Sequence, residues 1–213
     1  MILAIDGTTA SGKGTLARRL AAHFGLSHLD TGLLYRAVAA KALREGAALG
    51  DAEWCGRLAQ ALDLTDFDEG ELRGSGIGAA ASVVAAHGPV RAALFDMQRA
   101  FALRPAGAVL DGRDIGTVIA PEAEVKFWID ATVEIRARRR FRELVALGEP
   151  ISEAEVLAQL RERDVRDAGR KDAPMMAAAG AHRLDTTAMD PDEVTAWGVG
   201  VVQRHLIRGS PNA

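Results

Sequence analysis

Short apolar runs alternate along the chain with longer segments whose apolar residues recur every three to four positions, the period of a helix face. Ile2-Leu3-Ala4-Ile5 is the first run, and Leu16, Ala17, Leu20, Ala21 and Phe24 follow it at helical spacing. Ser27–Asp30 predicts a short second strand, and Leu33, Leu34, Ala37, Val38, Ala40 and Leu43 predict a helix that ends at Gly46. From Asp51 to Arg104 the strand signal nearly vanishes. That stretch holds a helix-like Asp51–Leu62, a glycine- and acid-rich passage from Asp66 to Gly78, and two helical runs broken at Gly88-Pro89. Ala108–Asp111 and Val125–Asp130 are apolar runs of the kind a buried parallel strand needs, and His182–Asp185 is a last short candidate. Helices are predicted over Val133–Leu147 and Ser152 to about Ala168, the second opened by the capping box Ser152-x-x-Glu155, and Asp190-Pro191-x-Glu193 starts a final helix. Strands separated by helices predict an α/β fold, a doubly wound parallel sheet whose ligands gather at the carboxyl ends of the strands.

Composition narrows the class without naming a chemistry. With 213 residues, 48% of them apolar, and a formal charge of −3, the chain can bury the core of one domain, 1–213, carrying an inserted lobe at about 51–104. The near-neutral balance argues against a broad nucleic-acid or membrane surface, so any anion binding must be local. Cys55 stands alone, which excludes an intramolecular disulfide and a cysteine metal cage and fits a reducing compartment. The first residues reach a glycine-rich loop too soon for a signal peptide, and no apolar run has membrane-spanning length, so a cytoplasmic protein is expected.

That loop is Gly7-Thr8-Thr9-Ala10-Ser11-Gly12-Lys13, placed between the first strand and the first helix. The spacing G-x-x-x-x-G-K lets the backbone curl so that successive N–H groups point at phosphate oxygens, aided by the helix dipole. Lys13 adds a positive charge for the outer phosphates. The next position, where serine or threonine usually offers a hydroxyl to magnesium, is Gly14, with Thr15 one place later. Either Thr15 takes that role or nucleotide oxygens and water hold most of the ion.

Three arginine groups accompany the loop. In Asp30-Thr31-Gly32-Leu33-Leu34-Tyr35-Arg36, Thr31 is expected to cap the second helix, with Arg36 either facing the strand ends or lying on the surface. Asp111-Gly112-Arg113-Asp114-Ile115-Gly116 closes the third strand; its arginine fork can hold a phosphate bidentately while Asp114 accepts from a base. Arg163, Asp167 and Arg170 share a helix face suited to a phosphate and a sugar hydroxyl. The alternatives there are ordinary surface pairs, Glu162 with Arg166 and Arg163 with Asp167. Arg136, Arg138, Arg139, Arg140 and Arg142 cover several faces of one helix, so some of them are solvated. No metal-ligand cluster and no Ser-His-Asp set is legible. Cations without a nucleophile point to charge stabilisation of phosphoryl transfer, and the abundance of arginine favours a phosphate as the acceptor.

At these residues the chain resembles the bacterial cytidylate kinases, members of the nucleoside monophosphate kinases. The resemblance runs from Ile2 to about Arg204 and rests on G-x-x-x-x-G-K-G-T at the loop, D-T-G-x-x-Y-R at Asp30–Arg36, D-G-R-D-I-G-T at Asp111–Thr117 and R-E-R-D-V-R-D-A-G-R at Arg161–Arg170. It implies that Gly7 to Thr15 bind ATP with Mg2+, and that arginines around Arg136 to Arg140, Arg139 among them, belong to a short lid at about 140–155. It implies further that Thr31, Arg91 and Asp114 recognise cytosine and that Arg36, Arg113 and Arg170 hold the acceptor phosphate. Arg163 and Asp167 would contact the sugar hydroxyls with Ser82 supporting Asp167, and Lys13, Arg113, Arg163 and Arg170 would be the catalytic cations. The GKG order of the loop is usual in these kinases. The family's insert includes a small sheet, whereas Thr65–Gly78 has little strand character.

The expected activity is transfer of the γ-phosphoryl of ATP to CMP, and to dCMP, by a monomer that binds neither nucleic acid nor membrane. One rival is a small-molecule kinase that phosphorylates a hydroxyl with Asp30 or Asp114 as base. Another is a nucleotide switch or regulatory ATPase that moves a partner.

Overall fold

Strand β1 (Ile2–Gly7) is buried along its whole length, and its neighbours explain why. In the computed structural model, which describes residues 1–68 and 70–209, the sheet has the order β2-β3-β1-β4-β5, with β1 in the centre. β2 is Ser27–Asp30, β3 Ala108–Gly112, β4 Val125–Asp130 and β5 His182–Asp185. β1 pairs in parallel with β3 and with β4, so that Ile5 lies opposite both Asp111 and Phe127, and β4 pairs in parallel with β5. Parallel pairing with helices between the strands is the predicted α/β architecture. β3 is buried throughout, but β4 alternates, with Val125, Phe127 and Ile129 buried and Lys126, Trp128 and Asp130 half-buried. The second apolar run is therefore covered fully on one face only.

Helix α1 (Lys13–Phe24) turns Leu16, Ala17, Leu20 and Ala21 onto this sheet. With Leu3, Ile5, Val109, Phe127, Ile129, Val201 and Val202 they form one core cluster. Each such fully buried aliphatic or aromatic side chain contributes about 1.5–3 kcal/mol relative to exposure. The last helix, α8 (Pro191–Gly209), packs on α1 across Gly198, where an added Cβ would come within 2.7 Å of Leu16 Cδ1.

The chain divides into two compact units. The first comprises Met1–Leu29, Ala100–Thr132 and the chain from Met176 onward, and holds most of the sheet. The second comprises Asp30–Arg99 and Val133–Met175, a larger body than the insert read at 51–104. Its helices are α2 (Thr31–Arg44), α3 (Ala52–Gln60), α4 (Ser75–Val84), most of α5 (Gly88–Ala102), α6 (Val133–Ala146) and α7 (Glu153–Ala168). α6 and α7 close on Ala137, Leu144, Val156 and Leu160, and Ala37 and Ala40 of α2 pack with Leu72. The expected capping box at Ser152 and Glu155 is formed in full. Between α3 and α4 the described residues form two 3-10 turns, Leu64–Asp66 and Glu71–Arg73, and no strand.

One expected cap is corrected. Asp30, not Thr31, caps α2: its carboxylate accepts from Gly32 N at 2.9 Å, and Thr31 becomes the first helical residue, buried. A carboxylate one residue earlier satisfies an orphan N–H and also meets the positive end of the helix dipole, which a hydroxyl does less well.

Candidate active site

The loop after β1 is shaped by close approaches that particular residues allow. Gly7 has φ +152°, and a Cβ there would lie 1.9 Å from the backbone oxygen of Ile129, so β4 excludes any side chain. Ala10 (φ 61°) and Gly12 (φ 92°) are also left-handed. Three hydroxyls then fasten the curl: Thr8 Oγ1 donates to Asp130 Oδ1 at 2.6 Å, Ser11 Oγ to the Thr8 carbonyl at 2.9 Å, and Thr186 Oγ1 to the Ser11 carbonyl at 2.8 Å. Gly12 is the N-cap of α1 and brings no capping side chain, while Lys13 opens the helix. A fixed helix N-terminus of this kind presents backbone donors and a positive dipole to an anion.

β3 delivers the second group to the same unit. Arg113 Nη2 donates to Thr9 Oγ1 at 2.6 Å and its Nη1 to the Gly112 carbonyl at 3.1 Å, so the guanidinium lies against the glycine loop. Asp114 is buried beside it. The turn that follows is π-helical, Ile115–Ile119, and its first two N–H groups donate to Asp6, Ile115 to Oδ1 and Gly116 to Oδ2, each at 2.8 Å. Burial pushes the Asp6 carboxyl up to about 7, against the pull of those two N–H donors. Sequence reasoning missed Asp6 because a polar residue ending an apolar run reads as a strand boundary. It also missed His28, whose Nε2 lies 2.8 Å from Asp111 Oδ1.

In the second unit, Ser82 of α4 and Arg163, Asp167 and Arg170 of the α7 region lie together. Asp167 is 1% exposed. Its Oδ1 accepts from Arg170 Nη2 at 2.5 Å and from Ser82 Oγ at 3.2 Å, and its Oδ2 lies 3.6 Å from Arg163 Nε. That burial removes the surface-pair alternative for Arg163 and Asp167, since an exposed pair would be screened by water. The other pair, Glu162 with Arg166, is not formed: Arg166 Nη1 donates to Ser82 Oγ at 3.0 Å. Thr31 is buried on α2, Arg36 Nη1 donates to the Leu72 carbonyl at 3.4 Å, and buried Arg91 of α5 reaches the Tyr35 hydroxyl at 3.4 Å.

The arginines of α6 divide by burial. Arg136 is 4% exposed and forms a two-pronged pair with Asp164, at 2.5 and 3.3 Å, which makes it a fastener between α6 and α7. Arg138 lies 3.7 Å from Glu153, and Arg140 donates to Glu143 and to the Arg73 carbonyl. Arg139 is half-buried on the same helix.

The chain matches the cytidylate kinase family model over residues 3–204. A cytidylate kinase from Methylocella silvestris is 59% identical over 203 residues, 95% of this chain and 94% of its own. One from Xanthobacter autotrophicus is 53% identical over 203 residues, 95% and 97% of the two chains. A solved structure, of an uncharacterized protein from Eubacterium ventriosum, shares the fold with a TM-score of 0.54 at 14% identity, covering 95% of this chain and 98% of its own. With the phosphate loop, the Asp111–Thr117 turn and the buried Arg163–Asp167–Arg170 cluster all inside that matched span, the chain belongs to the cytidylate kinase family.

Proposed function

We propose that this enzyme transfers the γ-phosphoryl group of ATP to the 5′-phosphate of CMP, and of dCMP as a second acceptor. The observation that carries the reading is the buried Asp167, clasped by two arginines and a serine inside a chain of this family. The resemblance assigns Arg36, Arg113 and Arg170 to the acceptor phosphate, and Thr31, Arg91 and Asp114 to the base.

The acceptor supplies its own nucleophile, because the second pKa of a phosphate monoester is about 6 and the oxygen is largely deprotonated at neutral pH. An acceptor oxygen–phosphorus bond forms as the bond from the γ-phosphorus to the bridging oxygen of ADP breaks, and no general base is needed. Lys13 and the loop N–H donors take the charge that builds on the donor phosphates, and Arg113 and Arg170 neutralise the acceptor's. The hydroxyl-acceptor alternative loses support because Asp30, one of its two candidate bases, serves as the α2 cap.

A magnesium ion would be held here by the Asp111 carboxylate, whose Oδ2 lies 3.6 Å from where a Gly14 Cβ would be, and by the Thr15 hydroxyl in exchange for its contact with Arg18 Nη2 at 3.5 Å. When bound it supplies charge neutralisation to the donor phosphates. We further propose a cytoplasmic monomer with a lid at about 140–155; among the described residues no single helix is long and apolar enough to cross a membrane.

A coupled ADP-release assay against CMP, dCMP, UMP, AMP and shikimate tests the proposal. Rapid turnover with CMP and dCMP is expected. Turnover with shikimate alone, or slow ATP hydrolysis indifferent to every nucleotide, would overturn it.

A further inference from the structure

Arg166 lies outside the set of residues that the motif assigns to the acceptor, yet it is wired into that set. Its Nη1 donates to Ser82 Oγ at 3.0 Å, and Ser82 is 1% exposed. A guanidinium can only donate, so the Ser82 oxygen accepts there and its single hydroxyl proton must go elsewhere. It goes to Asp167 Oδ1, 3.2 Å away. An ionised carboxylate only accepts, which makes the chain of donors one-directional, from Arg166 through Ser82 to Asp167.

Without Arg166, nothing of this kind fixes the Ser82 rotamer. A helical serine hydroxyl can turn to the carbonyl four residues back, here Gly78, which in this structure accepts from Arg163 Nη1 at 3.4 Å. Arg166 therefore keeps Ser82 on the carboxylate and away from its own helix. Asp167 Oδ1 then accepts from both Ser82 and Arg170, while Arg163 Nε lies 3.6 Å from its Oδ2, so the carboxylate is held from several sides.

We infer that Arg166 is a positioning residue for sugar recognition, orienting Ser82 onto Asp167 so that the carboxylate is held in place for a sugar hydroxyl of the acceptor nucleotide. This rests on the reading of Asp167 as the sugar contact given above.

The test is steady-state kinetics of Arg166→Met with CMP and with 2′,3′-dideoxy-CMP, which lacks the hydroxyls that Asp167 would accept from. KM for CMP should rise about three- to tenfold, the loss expected for one net hydrogen bond, with kcat and the KM for ATP little changed. kcat/KM for the dideoxy analogue should not move. Arg166→Lys should recover most of the loss, and adding Arg166→Met to Ser82→Ala should have no further effect, since the two act in series. An equal loss with both acceptors, or additive effects in the double variant, overturns the inference and leaves Arg166 a helix-packing residue. A wild-type enzyme that does not distinguish CMP from the dideoxy analogue overturns the sugar reading of Asp167 as well. One that does distinguish them, while Arg166→Met keeps that distinction in full, overturns the role of Arg166 alone.

Discussion

Two carboxylates are buried to nearly the same degree, Asp6 at 2% exposure in the first unit and Asp167 at 1% in the second, and different chemistry holds them. Asp6 accepts from two backbone N–H groups of the turn after Arg113. Asp167 accepts from Arg170 and Ser82, with Arg163 beside its other oxygen. The same contrast runs through both units. The glycine loop is formed by backbone geometry, with Gly7, Ala10 and Gly12 at positive φ and hydroxyls tying its carbonyls. The helical unit is organised by side chains that fasten one another, Arg136 to Asp164 and Arg166 to Ser82 to Asp167. Backbone sites offer many weak, identical donors and suit a polyphosphate; side-chain clusters offer few, distinct groups and suit a sugar and a base.

The sharpest way to break the first kind of site is to add atoms to its backbone. Gly7→Ala forces a Cβ to within 1.9 Å of the Ile129 oxygen at a φ of +152°. It should cost about 4 kcal/mol or more of stability, because neither the strand nor the loop can yield without breaking sheet pairing. Urea unfolding measures this, and a variant of wild-type stability would show that the loop is not clamped by β4. Lys13→Ala is the complementary change, removing a charge while leaving the loop backbone its glycines. Its melting temperature should match wild type while kcat falls about 10²–10³-fold, the usual loss for one transition-state charge contact. A near-normal kcat would remove Lys13 from its assigned role.

This difference also explains what could be read from the chain before its structure. The loop was legible because its geometry is written in spacing, G-x-x-x-x-G-K between an unbroken apolar run and one of period 3.6. The strands and the capping box at Ser152 were legible for the same reason, since both depend on neighbours in sequence. What escaped depends on partners far along the chain. Asp6 meets residues 109 and 110 positions away, and Arg166 meets Ser82 84 positions back. From sequence, Glu162 was an equally sensible partner for Arg166 and Arg136 was one of five interchangeable arginines. Burial, which sequence does not assign residue by residue, decided both.

The second kind of site should break by losing one side chain and recover by losing its partner. Arg136→Met removes one arm of a pair that is 5% exposed on the arginine side and 25% on the aspartate side. Leaving Asp164 partly buried without its cation should cost about 2 kcal/mol. Arg136→Met combined with Asp164→Leu should regain most of it, because apolar packing replaces the pair without stranding a charge. Urea midpoints of the two single variants and the double variant read the coupling; strictly additive losses would mean that the pair does not act as a unit. No comparable rescue is available at Gly7, where the obstacle is a backbone oxygen.

The most gradual effect expected, spread over several pH units, concerns the backbone-held acid itself. Burial raises the Asp6 carboxyl to about 7 from an ordinary value near 3.8, outweighing the two N–H donors that favour its ionised form. Between about pH 4 and pH 7 the folded chain therefore holds a proton that the unfolded chain has released, and stability falls as pH rises through that window. Below it both states are protonated, and above it both are ionised, so this contribution to the slope vanishes at either end. The difference in unfolding free energy between wild type and Asp6→Asn, followed by urea titration from pH 4.5 to 8, should isolate it, with the downward slope present in wild type and missing from the variant. Asparagine must also turn its NH2 toward one of the two amide donors, so the variant should be weaker at every pH. Parallel stability curves would mean that the two N–H donors outweigh burial and keep Asp6 ionised throughout. The backbone would then be holding a buried charge in the first unit as firmly as the arginines hold one in the second.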